Sequence, residues 1–175
     1  NSRLTAYVAC GSDGLAIVDV SNFSKPKVLA RLNLSGDNTD VEVDATRGFA
    51  VMAAGDAGLH LVDISNAQAP KLIQTIEFGA SVSAVQVGDG LAFVSIGTDL
   101  GVVNIATGEV LQTLNLSGLT ITSLSLQGST LFSVDAAHTL RSFAIQNNSL
   151  TALSSLALPA GGGRLFVGGN VAYIG

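Results

Sequence analysis

The stretch Gly58-Leu59-His60-Leu61-Val62-Asp63-Ile64-Ser65-Asn66 decides the fold, because the chain repeats it. It stands upstream as Gly14-Leu15-Ala16-Ile17-Val18-Asp19-Val20-Ser21-Asn22 and downstream, degraded, as Leu100-Gly101-Val102-Val103-Asn104-Ile105. A weaker echo is Leu140-Arg141-Ser142-Phe143-Ala144-Ile145. A short apolar run closed by Asp or Asn and a polar turn reads as a buried strand with its turn.

A second strand pattern precedes each copy: Thr5-Ala6-Tyr7-Val8, Phe49-Ala50-Val51-Met52, Leu91-Ala92-Phe93-Val94, Leu131-Phe132-Ser133-Val134 and Val171-Ala172-Tyr173-Ile174. The repeats therefore start near 5, 49, 91, 131 and 171, at spacings of 44, 42, 40 and 40 residues within one domain over 1–175. A third strand follows Pro26 and Pro70, where proline opens a strand without removing a ladder donor from its middle. The fourth is short and alternating: Val41-Glu42-Val43, Val85-Gln86-Val87, Leu124-Ser125-Leu126 and Leu165-Phe166-Val167. It ends in turns such as Gly88-Asp89-Gly90 and Gly168-Gly169-Asn170. A β-trefoil has three copies and a β-helix repeat is shorter. Four strands per period of about 40 residues predict an all-β fold of β-propeller blades, each of four antiparallel strands.

Composition agrees. Hydrophobic residues make up 47% and charged residues only 12%, yet the apolar residues come in short runs broken by Gly, Ser, Asn and Asp. No run reaches the roughly 18 to 20 residues of a spanning helix, so no membrane span is expected. Such runs suit strands buried on both faces, as blade stacking requires. A net charge of −5 and eight scattered Lys and Arg disfavour a nucleic-acid partner. The single Cys10 reads as a small buried core residue in the first strand pattern.

The repeated stretch followed by Ser-Asn, with Pro a few residues on, resembles the LVIVD-repeat β-propellers of bacterial and archaeal proteins. The match is good from Leu15 to Pro26 and from Leu59 to Pro70, and partial in the third period, where Asn104 and Thr107-Gly108 stand in. The fourth period matches poorly. The resemblance implies the fold, and a secreted or surface-attached location, since many members have one. In such a frame the alternating strand is the innermost strand of the next blade. Complete blades are then expected at about 40–78, 82–116 and 121–158, in a segment of a larger propeller of six to eight blades. A four-bladed closure through Leu165 to Val167 is the alternative.

Asp19 and Asp63 recur, but each ends a strand before a Ser-Asn turn, where a short acidic side chain caps backbone N–H groups. Asp13, Asp56 and Asp99 are expected in loops between the first two strands of their repeats. Those loops share a face with 35–39, 79–81, 117–119 and 159–163. With Asp37 and Asp40 they form a candidate acidic rim for Ca²⁺ or a cationic partner; no other cofactor or metal is expected. His60 and His138 lack the spacing of zinc ligands. Gly161-Gly162-Gly163 precedes a strand and reads as an inter-blade loop. Asn22, Asn33, Asn115 and Asn147 lie in N-x-[ST] sequons.

No catalytic motif appears, so the first expectation is a non-catalytic module that binds a protein or other macromolecule, besides the remaining blades of its parent, through loops on one face. The alternative is part of a glycan hydrolase or lyase. The positions expected to face the channel, Glu42, Gln86, Ser125 and Phe166, hold only one carboxylate.

Overall fold

The computed structural model describes residues 4–118, 120–160, 163–169 and 171–175. Leu119, Gly161, Gly162 and Asn170, which fall in expected loops and a turn, lie outside the described residues. All described structure is strand, turn or loop. The first sheet holds β1 (Thr5–Ala9), β2 (Leu15–Asp19) and β3 (Lys27–Leu32). The second holds β4 (Asp40–Asp44), β5 (Phe49–Ala53), β6 (Leu59–Asp63) and β7 (Lys71–Ile76). The third holds β8 (Val82–Gly88), β9 (Leu91–Ile96), β10 (Asp99–Asn104) and β11 (Val110–Leu114). The fourth holds β12 (Ile121–Gln127), β13 (Thr130–Asp135), β14 (Thr139–Gln146) and β15 (Ser149–Ala157). The last pairs β16 (Leu165–Gly168) with β17 (Val171–Ile174). Within each sheet the strands run antiparallel in sequence order. The alternating strand is first in each full sheet, as expected for blades.

One hydrophobic cluster fills each gap between consecutive sheets. Leu15 and Ile17 meet Ala50, Met52 and Val62 across the first gap. Val51, Leu59 and Leu61 meet Val85, Val94 and Val103 across the second. Phe93, Leu100 and Val102 meet Leu124, Leu131 and Phe143 across the third. Val134 meets Leu165 and Val167 across the fourth. Alternate residues of β5 thus enter different clusters, which is why its run Ala50-Val51-Met52-Ala53 is apolar without a break and fully buried. At about 1.5–3 kcal/mol for each buried Val, Leu or Met, these gaps hold most of the fold's stabilisation. A β-bulge recurs between the last two strands of each of the first four sheets, after Ile17, Leu61, Val102 and Ser142, and adds local twist there.

The end sheets each leave one face open. In the last, Leu165 and Val167 are buried, whereas Phe166 and its cross-strand partner Tyr173 are 64% and 59% exposed. In the first, Val8 and Val28 are exposed on the face away from the second sheet. With these two faces exposed, and no strand of the first sheet paired with the last among the described residues, the sheets form an arc of blades.

The motif residues hold turns. Asp19 accepts from the Ser21 amide at 2.9 Å, Asp63 from Ser65 at 2.8 Å, and Asn104 from Ala106 at 2.9 Å. Asn22 and Asn66 cap two residues on in the same way, at 3.1 and 3.0 Å. Gly58 is required twice over: its φ is +93°, and a Cβ there would stand 2.1 Å from the Ile76 carbonyl oxygen. Cys10 differs from expectation. It lies one residue beyond β1 and is half-buried, because the first sheet is covered on one side only; its counterpart Ala54, between two blades, is fully buried.

Gly58→Ala is expected to cost at least about 3 kcal/mol, since backbone must shift as well as strain be absorbed. Gly79→Ala, with φ +70° and open space around it, should cost only about 1–2 kcal/mol. Urea unfolding of both variants, read as a difference in midpoint at constant slope, checks the contrast.

Candidate functional site

The first strands of successive blades, β4, β8, β12 and β16, stand side by side around a channel. Each is the edge strand of its sheet, so its inward N–H groups lack a ladder partner. Side chains of the preceding blade supply one. Asp40 Oδ2 accepts from the Val85 amide at 3.0 Å, and Gln86 Oε1 accepts from Leu126 at 3.0 Å. Ser123 Oγ accepts from Leu165 at 3.0 Å and Ser125 Oγ from Val167 at 2.9 Å. Gln86 also donates through Nε2 to Glu42 Oε1 at 2.9 Å. The expected channel positions Glu42, Gln86 and Ser125 therefore act as clasps between blades. Phe166, at the same place in β16, turns out into the open face.

At one end of the channel the inner strands line a half-open cavity of about 200 Å³. Asp40, Ala84, Ser123 and Arg164 occupy equivalent places in four successive blades there. Burial pushes the Asp40 carboxyl above its usual value of 3.8, against the Val85 and Val41 amides and the Arg164 charge, which pull it down. Burial likewise raises Glu42, and the neighbouring Asp40 charge adds to the rise.

The expected acidic rim divides. Asp13, Asp37 and Asp56 are exposed on loops of one face, as predicted. Asp40 and Asp99 are in strands instead. Asp40 opens β4 because its backbone pairs with Ala53, and its side chain turns to the channel. Asp99 opens β10, paired with Ile96, because the β9–β10 connection has shrunk to Gly97-Thr98. The rim carboxylates are spread along the arc, and among the described residues no three His, Cys, Asp or Glu are grouped so as to hold a metal ion.

Two buried polar residues escaped sequence reasoning. Asn38 donates to the Gly11 carbonyl at 2.9 Å and to Ser35 at 3.2 Å, fastening two rim loops together. His60 is fully buried; the Ser35 carbonyl, 2.9 Å from Nε2, assigns the proton to that nitrogen and leaves Nδ1 to accept from Thr75 Oγ1 at 2.9 Å. In the fourth blade Asp135 pairs with Arg141 and accepts from the Ala137 and Thr139 amides at 2.9 Å. Burial pushes its carboxyl up, but these partners prevail and hold it below 3.8.

The pattern of the LVIVD repeat matches residues 6–33 and 35–77. These segments are LVIVD repeats. They cover the first blade and the second, the two with the full Asp-(Ile/Val)-Ser-Asn…Pro turn. No curated protein matches the sequence. The crystal structure of the computationally designed Ika8 protein has a TM-score of 0.78 and 17% identity, over 98% of this chain and 52% of that one. The chain thus spans about half the length of Ika8. The computationally designed Ika4 protein has a TM-score of 0.67 and 13% identity, over 83% of this chain and 88% of that one. At these identities the likeness is one of fold, that of propeller-like repeats.

The clasp that joins the second LVIVD repeat to the next blade is open to test. Gln86→Leu strips the Leu126 amide and the Glu42 carboxylate of their partner and should cost about 2–3 kcal/mol at neutral pH. The raised Glu42 carboxyl rises further in this variant. A carboxyl raised in the folded state opposes folding as pH climbs through its folded value, so the deficit should shrink as pH falls towards 4.5, the usual value for Glu. Glu42→Gln in the Gln86→Leu background should recover part of the loss at neutral pH. Denaturation midpoints across pH check both points.

Proposed function

We propose that the chain is a non-catalytic β-propeller module of a secreted or surface-attached protein, which binds a cationic macromolecular partner through the loops at one end of its channel. One observation carries the reading: the loops of the first three sheets at one end of the strands carry charge of one sign. The loops 10–14, 33–39, 54–58, 77–81 and 97–98 contain Asp13, Asp37, Asp56 and Glu77 and no Lys, Arg or His, whereas His138 and Arg164 stand at the same end in the fourth and fifth sheets. Lys25, Lys27, Arg47 and Lys71 all fall in or beside turns at the opposite ends of the strands. The Asp residues of the repeat motif lie at those opposite ends and cap turns, whereas Asp13, Asp37 and Asp56 are solvated. A one-signed stretch of rim steers an oppositely charged partner and selects against others of its own sign. The location rests on the LVIVD resemblance.

Glycan hydrolysis or cleavage is the second reading, and the observation in its favour is Asp40 with Glu42, two carboxyls raised by burial on one channel-lining strand. Both already accept hydrogen bonds that join blades, which favours binding over catalysis.

Binding of a lysine decapeptide, followed by titration calorimetry at low and at physiological salt, tests the first reading. Asp13→Asn, Asp37→Asn and Asp56→Asn together should abolish most of the affinity with an unchanged melting temperature. Neutralising Asp89 and Glu109 on the other face should leave it within about twofold, as expected for charges beyond a Debye length. Equal losses from the two sets would overturn the reading.

A further inference from the structure

The 200 Å³ cavity at the channel mouth has a lining whose hydrogen-bonding inventory is one-sided. Thr39 Oγ1 donates to the Ser83 carbonyl at 3.3 Å, Ser83 Oγ to the Ile121 carbonyl at 3.1 Å, and Thr122 Oγ1 to the Val134 carbonyl at 3.1 Å. Each hydroxyl has a single proton, so these three oxygens are left with lone pairs only, and the Ser83 oxygen also faces Ser95 Oγ at 3.0 Å. Asp40 adds carboxylate acceptors; each of its oxygens takes one backbone amide, from Val85 at 3.0 Å and Val41 at 3.1 Å, and has capacity for another donor. Two groups are exceptions: the Ser123 hydroxyl, whose oxygen accepts from the Leu165 amide and whose proton is available to donate, and Arg164. The Arg164 guanidinium is the cavity's charged donor, and it makes no ion pair among the described residues.

The position of Arg164 in the repeat sharpens the point. Its counterparts Asp40 and Ser123 each accept an amide of the next blade, the task of that ring position. Ala84 can accept nothing and leaves space, and Arg164 puts a cation where an acceptor would clasp a further strand. Blade joining therefore explains Asp40 and Ser123 but not Ala84.

The cavity thus sets an acceptor-rich wall centred on one carboxylate against one exposed guanidinium, which feels the Asp40 charge without forming an ion pair with it. A cation alone would leave Arg164 unmatched, and an anion alone would face Asp40. The volume equals the liquid share of roughly six or seven waters, which suits a compact solute. We propose that the channel mouth binds a small zwitterion of the α-amino-acid class, with its carboxylate on Arg164 and its ammonium on Asp40 and the surrounding hydroxyl oxygens. An ammonium group brings three donors and no acceptor, the complement of that wall, and a carboxylate takes the guanidinium fork through two parallel hydrogen bonds. The site uses none of the rim carboxylates Asp13, Asp37 and Asp56 and does not depend on the macromolecular reading.

Titration calorimetry of the full chain against the common α-amino acids, with acetate and methylammonium as single-ended controls, tests it. Saturable one-to-one binding of at least one amino acid is expected, at least tenfold tighter than either control. Arg164→Gln and Asp40→Asn should each weaken it at least tenfold; the Asn amide oxygen can still accept from the Val85 amide, and circular dichroism verifies the fold. The triple rim variant Asp13→Asn, Asp37→Asn, Asp56→Asn should bind the amino acid unchanged, so that failure of one reading is visible apart from failure of the other. Absence of saturable binding across the panel, acetate binding as tightly as the amino acid, or an Arg164→Gln variant with full affinity would overturn the proposal.

Discussion

A blade has an inner edge that no strand of its own sheet can cover, and the structure depends on how that edge is closed. Here the preceding blade closes it with side chains. Asp40, Gln86, Ser123 and Ser125 reach across to the Val85, Leu126, Leu165 and Val167 amides. An unsatisfied buried amide costs about 1–3 kcal/mol, comparable to the transfer of one buried side chain. The clasps also fix register between blades, which the hydrophobic clusters alone do not, because burial is non-directional.

The clusters account for the rest. The second and third sheets are buried on both faces at their inner strands, so β5 and β9 read as nearly unbroken apolar runs. Val51 packs against the third sheet and Met52 against the first from neighbouring positions in one strand. Charge is left mainly to loops, turns and strand ends. Asp19 and Asp63 cap turns at one end of the strands, and Asp13, Asp37 and Asp56 are solvated at the other. The two ends can therefore serve different purposes: one end builds the repeat, and the other is free to vary.

Much of this was legible in the sequence, for reasons that differ by residue. The period, the strand order and the caps at Asp19, Asp63 and Asn104 follow from local chemistry that every blade must repeat. Asp99 misled because a shortened turn moved it from loop to strand, and alignment to Asp56 conceals a deletion. Asp40 looked like a rim residue because the alternating apolar pattern starts at Val41; only the pairing of Asp40 with Ala53 puts it in β4. Cys10 read as core because its strand is apolar, but burial there depends on a neighbour on both sides. The clasps themselves were invisible. Glu42, Gln86 and Ser125 share no residue type, only the ability to accept or relay a hydrogen bond across a gap between strands some 40 residues apart in sequence.

Amide hydrogen exchange resolved by residue tests the role of the clasps most directly. If side chains of one blade close the inner edge of the next, the Val85, Leu126, Leu165 and Val167 amides will be protected at least about a hundredfold over unfolded rates, although each lies on a strand edge. Exchange of these four amides at the rate of solvated edge groups, in a protein whose Val51 and Phe93 amides stay protected, would contradict the account.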